Sequence, residues 1–147
     1  MQKNSERHAR RVDMVIYPGF KAIEAIGAMS VFEYANLHLV QEGRPVGYAV
    51  HIVSDTAGPV ASDTHMLLQA KALRPDDLPH TAIIVGARQI EVALAAHPAI
   101  VDWAAAVAPR ITRLVALCSG SFFLAAAGVL DDLPVTTHWS VATLLLE

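Results

Sequence analysis

Three observations in the sequence predict an α/β domain whose parallel sheet is sandwiched by helices. Short apolar runs alternate with longer segments of helical character, the order produced when crossover helices join parallel strands. Several of those runs are continuous rather than alternating, Thr81-Ala-Ile-Ile-Val85 above all, as strands covered on both faces are. Finally, 54% apolar and 17% charged residues in 147 give enough side chain for one core and for one domain. The same composition excludes intrinsic disorder. No apolar run approaches the ~18–20 residues of a membrane helix, so no membrane partner is expected. A net charge of −3 without clustered Lys or Arg gives this segment no electrostatic footprint for nucleic acid. The single cysteine, Cys118, excludes an internal disulfide framework and a thiolate zinc cluster.

Residues 1–11 are polar and carry a net charge of +3, with no apolar stretch of the secretory kind, and are expected to form a flexible basic tail. A cytoplasmic location follows by default. The domain proper is expected over residues 12–147. Val12–Ile16 reads as a buried strand closed by Tyr17-Pro-Gly19. Residues 21–39 read as a helix whose first half is apolar nearly all round and hence well buried. Gly43 and Pro45 break it. Tyr48–Val53 is a second strand, and Ala57-Gly-Pro59 turns into a hairpin that sets Val60-Ala61 opposite Met66–Leu68. Thr81–Val85 is a central strand ended by Gly86. Two short helices follow over 90–96 and 99–107, with Pro98 suited to a first turn. Arg113–Leu117 is a further strand that passes through Cys118–Ser121 into a helix over 122–127, stopped by Gly128. Leu133–Val135 is extended, and Ser140 is placed as the N-cap of a last helix. Residues 141–146 are apolar and end without a cap or a following strand, so the sheet is expected to be incomplete at the C-terminus.

In parallel α/β sheets ligands sit outside the carboxyl ends of the strands, which directs attention to residues 17–24, 86–88 and 118–121. Ala116-Leu-Cys118-Ser-Gly120 has the spacing of a nucleophile elbow, with small residues two before and two after the residue at a strained strand-to-helix bend. Free N–H groups at the start of the next helix favour an anion there, so Cys118 is the candidate nucleophile. Glu24 lies in an apolar helix starting at the same edge, and is read as a group that hydrogen-bonds the thiol or shuttles its proton, or as a first-turn acid stabilised by the macrodipole. The N–H groups of Gly86 and Ala87 are read as a cradle for an anionic ligand or an oxyanion, or Gly86 as a turn alone. His138 is read as a general base or as a hydrogen-bonding group beside Trp139. The remaining histidines lack metal-ligand spacing, and no Gly-rich phosphate loop is present, so neither metal nor cofactor is expected.

Val15-Ile-Tyr-Pro-Gly-Phe20, Ile23-Glu-Ala-Ile-Gly-Ala-Met-Ser-Val-Phe32 and the run from Leu117 through Cys-Ser-Gly-Ser, Ala-Gly-Val-Leu and Thr-Thr-His-Trp139 resemble the ThiJ/PfpI superfamily. More narrowly, they resemble the sensor domain of GlxA-type regulators of the AraC family. The resemblance implies a flavodoxin-like, class I glutamine-amidotransferase-like fold. It places Cys118 at the elbow nucleophile, Glu24 at the acid facing it, and Ser119 where some branches carry Thr and protease-like ones His. Gly120, Gly86, Ala87 and His138 fall around the implied ligand pocket, although relatives carry Gly-Gly where this chain has Gly86-Ala87. Relatives form dimers, and the regulators add two helix-turn-helix motifs that this chain lacks.

Two functions therefore stand open. In one, the chain is a ligand-sensing and dimerising domain of a transcription regulator, reaching DNA only through a C-terminal segment not present here. In the other, it is an enzyme similar to isonitrile hydratase, with Cys118 attacking an electrophilic carbon and Glu24 supplying the proton.

Overall fold

The computed structural model describes residues 9–146. A six-stranded sheet runs in the order β3-β4-β2-β1-β5-β6. Its strands are β1 (Arg10–Val15), β2 (Tyr48–Ser54), β3 (Gly58–Ala61), β4 (Leu67–Ala72), β5 (Thr81–Ile84) and β6 (Arg113–Ala116). All pairings are parallel except the β3–β4 hairpin. The helices are α1 (Ala22–Gln41), α2 (Ile90–Ala96), α3 (Pro98–Val107), α4 (Ser121–Ala126) and α5 (Ala142–Leu145). This is the expected flavodoxin-like α/β architecture, with a hairpin added at one edge of the sheet.

The centre of the sheet explains the continuous apolar runs. Strands β1 and β5 have neighbours on both sides and side chains buried on both faces, from Val12, Met14 and Val15 to Ala82, Ile83 and Ile84. The hairpin register pairs Val60 with Leu68 and Ala61 with Leu67, and β4 then continues to pair in parallel with β2.

Four expectations change. β1 starts at Arg10 rather than Val12, because Arg11 is not a solvated tail residue. Its guanidinium binds both carboxylate oxygens of buried Asp13, at 2.7 and 2.8 Å, and also reaches Asp77. Residues 1–8 of the expected tail lie outside the described residues. The first half of α1 is not well buried: only Ala22 and Ala25 are, while Ile23 is 83% exposed. Small residues set the closest face of this helix, Met29 and Phe32 pack partly buried beside them, and Ile23, Val31, Tyr34, Leu37 and Val40 are exposed. Leu133–Val135 pairs with no strand. His138, not Ser140, caps the last helical segment, its Nδ1 accepting the Ser140 N–H at 3.2 Å ahead of the 3₁₀ turn Trp139–Val141.

Long-range polar ties fix α1 at both ends. The Ala22 N–H at its start donates to Asp63 of the hairpin loop at 3.0 Å. Farther along, Asn36 donates to the Tyr48 carbonyl and accepts the N–H groups of Gly47 and Tyr48, binding the helix to the first residue of β2.

Candidate functional site

The carboxyl edge of the sheet is assembled around Phe20, which is fully buried and bridges Ser62 of the hairpin loop and Ala87 after β5. Lys21 N–H donates to the Gly86 carbonyl, and Asp63 N–H to that of Phe20. Three segments distant in sequence are thereby held together at one edge.

Cys118 sits there with φ +51°, a left-handed conformation that costs a non-glycine residue of order 1–2 kcal/mol. The strain arises because β6 ends at Ala116 and the chain turns at once into a 3₁₀ turn, Cys118–Gly120, and then α4. Gly120 permits this turn: a Cβ at that position would collide with the Ile84 carbonyl oxygen and lie 3.0 Å from that of Val85. Two hydroxyls secure the bend, since Thr137 donates to the Cys118 carbonyl at 3.1 Å and Ser121 donates to Thr137 at 2.8 Å.

The structure brings Cys118, Glu24, Ser119, Gly86, Ala87 and Gly120 to this edge, but with different partners from those expected. Glu24 Oε2 accepts the Gly86 N–H at 2.7 Å. Ser119 Oγ accepts the Ala87 N–H at 3.1 Å and donates back to the Ala87 carbonyl at 3.0 Å. Both N–H groups of the anticipated anion cradle are thus engaged within the protein. Gly86 is itself required, because a Cβ there would stand 2.6 Å from Ser119 Oγ and 3.2 Å from Glu24 Oε2.

The thiol's hydrogen-bond partner is Lys21, whose Nζ lies 3.3 Å from Cys118 Sγ and 3.7 Å from Glu24 Oε1. A lysine ammonium, rather than Glu24, is therefore the group next to sulfur, and it couples the thiol to the acid. Lys21 was not singled out from the sequence. Its signal was available all the same: it is the only Lys or Arg between Arg11 and Arg44, and it immediately precedes α1. Tyr17 was also missed. Its hydroxyl donates to the Val85 carbonyl at 2.7 Å, and burial, reinforced by Glu24 and Cys118 nearby, pushes its ionisation far up, so it stays a neutral donor.

His138 joins the edge from the C-terminal segment. With Lys21, Ala87, Arg88, Ser119, Ser140 and Val141 it lines a cleft of about 170 Å³. Its Nδ1 is occupied by the Ser140 hydroxyl at 2.7 Å as well as by the N–H it caps. A larger cleft of about 480 Å³ adjoins this one, sharing Ala87 and Arg88 and extending over Pro18, Asp63 and α2 as far as His97. Arg88 Nε donates to Asp63 across its mouth at 3.0 Å, and His97 Nδ1 pairs with Asp55 at 2.7 Å. Of these four, only Arg88 lay in a stretch to which the sequence directed attention, and none was given a role. Their pairings join residues 25 and 42 positions apart, which no local pattern in the sequence encodes.

Comparison with known proteins agrees with this architecture. The "uncharacterized protein in cpoL 5′ region" of Streptomyces lividans is 30% identical over 129 residues, 88% of this chain and 87% of that protein. An AraC family transcriptional regulator from Pseudomonas putida superposes with a TM-score of 0.78 at 25% identity, over 92% of this chain and 70% of that one. Drosophila melanogaster DJ-1beta shares the fold at 15% identity and a TM-score of 0.73, over 95% and 71% of the two chains. So does a ThiJ/PfpI family protein from Pseudomonas syringae, at 23% identity and a TM-score of 0.69; this chain covers 94% of its own length but only 54% of that protein's. The sequence profile of the DJ-1/PfpI family matches residues 10–146, from the first residue of β1 past the cysteine elbow and the His138 turn, and the chain belongs to that family.

Proposed function

We propose that this chain is the small-molecule-sensing and dimerising domain of an AraC-family, GlxA-like transcription regulator acting in the cytoplasm, with DNA contacted by a separate C-terminal helix-turn-helix region. The observation that carries the reading is the occupancy of the cradle. An enzyme that attacks carbon with Cys118 needs unengaged donors aimed at the charge that develops. Here the Gly86 and Ala87 N–H groups are bound by Glu24 and Ser119. Glu24 is held by Gly86 and Lys21 rather than by the thiol. A network that is closed in this way holds shape, which suits a rigid wall of a binding site. The likeness to the P. putida AraC family regulator supports the same reading.

In this role Lys21, hydrogen-bonded to Cys118, and Ser119 form one wall of the smaller cleft, His138 and Ser140 a second, and Arg88 the rim it shares with the larger one. Cys118 acts on the cleft through Lys21, and covalent attack is not required of it.

The test is twofold. The coding frame beyond the Glu147 codon is read, and the purified protein is incubated with an alkyl isonitrile while formation of the N-alkylformamide is followed. A frame continuing into a basic pair of helix-turn-helix motifs, without turnover, supports the sensor. Turnover that vanishes in Cys118→Ala, or a frame closing without those motifs, overturns it.

A further inference from the structure

Resting on the sensor reading, we propose that the ligand's seat is the larger cleft beyond Arg88, and that it takes a small carboxylate carrying a second group able to donate a hydrogen bond. Size is the first argument. The cleft beside Lys21 and Ser119 measures about 170 Å³ and its neighbour about 480 Å³. Small-molecule sites typically run from about 300 to 1,000 Å³.

Unspent hydrogen-bonding capacity is the second. Beside Cys118 the Gly86 and Ala87 N–H groups are engaged, whereas the larger cleft presents side-chain polar atoms with no partner among the described residues. Arg88 uses only Nε, on Asp63, so both Nη groups are available. Asp63 is fixed in turn by the Ala22 N–H, which with the Arg88 contact holds its carboxyl below the usual range; Asp63 stays charged and keeps the guanidinium oriented. A guanidinium with two unengaged N–H groups in one plane matches a carboxylate.

His97 supplies the other polar end. Its Nδ1 faces the Asp55 carboxylate and donates to it, which leaves Nε2 as the ring's unpaired nitrogen, an acceptor when the ring is neutral. The His97 side chain is only 12% exposed, yet no buried side-chain nitrogen among the described residues lacks a partner. Nε2 is therefore open to solvent, and His97 is one of the residues lining the cleft. Pro18, Val92 and Ala96 give an apolar wall between the two polar ends. A ligand seated there adjoins the smaller cleft through Arg88, which lines both.

The experiment titrates 3-hydroxybutyrate into the whole 147-residue chain, with butyrate and butane-1,3-diol as analogues lacking one polar group each. The His97 ring nitrogens are followed by NMR, and Cys118 alkylation is followed in parallel. The expected result is saturable binding of 3-hydroxybutyrate that shifts His97 Nε2, with each analogue at least about tenfold weaker. Arg88→Met, at a largely exposed position, weakens it about tenfold or more, and Arg44→Met, near the start of β2 at the opposite edge of the sheet, leaves it unchanged. His97→Gln weakens the hydroxyacid but not butyrate; where that variant unfolds, the ring-nitrogen shift of the unmodified protein carries the test. No binding of 3-hydroxybutyrate overturns the proposal, as does binding that protects Cys118 from alkylation while leaving His97 unshifted. Neither outcome touches the reading-frame and isonitrile tests of the sensor itself.

Discussion

Gly120→Ala is the perturbation that most directly tests why the elbow exists. The added methyl would collide with the Ile84 carbonyl oxygen and lie 3.0 Å from both the Ile84 carbonyl carbon and the Val85 oxygen, all of them backbone atoms in the middle of the sheet. No side chain can swing aside, so either the turn or the end of β5 must move. Forcing extra volume into a packed site costs about 1–3 kcal/mol. The Ile84 carbonyl also accepts the Leu117 N–H at 2.9 Å, the last tie between β5 and the elbow, and losing that bond adds about 1 kcal/mol. The expected loss is therefore about 2–4 kcal/mol in urea unfolding followed by circular dichroism. Gly27→Ala is the internal control. It lies within α1 with nothing within 4 Å of the added methyl, and should gain about 0.5–1 kcal/mol from helix propensity. If Gly120→Ala unfolds within ~0.5 kcal/mol of the parent protein, with Cys118 alkylated at the parent rate, close approach of backbone to backbone is not what the glycine provides.

Three further outcomes are expected. Lys21→Met should slow iodoacetamide alkylation of Cys118 at neutral pH by about fivefold, the effect of removing a partly screened ammonium worth ~1 kcal/mol at 3.3 Å from sulfur; an unchanged rate would separate the two groups. Asp63→Ala removes the carboxylate that accepts the first N–H of α1 and should cost about 1 kcal/mol, with amide exchange rising first in the opening turn of the helix. Asp55 concerns pH. Burial pushes its carboxyl up, but the hydrogen bond from His97, together with those from Ser54 and Thr56, outweighs burial and holds it below the ordinary value. A depressed carboxyl contributes stability that is complete above the unfolded value, near 3.9, and is lost as pH falls through the folded one. Asp55→Asn should therefore lower the urea midpoint at pH 7 and narrow its deficit as the pH drops below about 4. A deficit that is constant with pH would mean that Asp55 acts through shape alone.

The parts of the fold that could be read in the sequence are those whose cause is local. A strand buried on both faces must be apolar throughout, and Thr81–Val85 shows this directly. The elbow was legible because a sharp strand-to-helix bend demands small residues at fixed offsets, and Ala116 and Gly120 occupy them. Gly128, at φ +71°, ends the segment after α4 as a left-handed residue should. What escaped has long-range causes. Arg11 looked like part of a basic tail because its partner Asp77 is 66 residues away, and Asp13 is an acid in a strand whose burial only the folded sheet reveals. The large apolar residues of α1 seemed to demand burial, but the helix buries only Ala22, Ala25 and Asn36, with Met29 and Phe32 packed partly buried beside them.

The same division separates what was seen at the site from what was missed there. Cys118, Glu24 and Gly86 were found because each stands at a strand end or helix start, where topology alone puts residues at the ligand edge. Lys21 stands at such a place too, but a cation before a helix reads as an unfavourable neighbour of the macrodipole rather than as a thiol's partner. The structure resolves that conflict. The carboxylate of Asp63, arriving from another loop, satisfies the first N–H of α1, which leaves the Lys21 ammonium to turn toward Cys118 and Glu24. Asp63 therefore links the two clefts through its two oxygens, one capping α1 beside the thiol and the other orienting Arg88 over the larger cleft. A ligand that drew the Arg88 guanidinium toward itself would pull on the carboxylate that holds the start of α1.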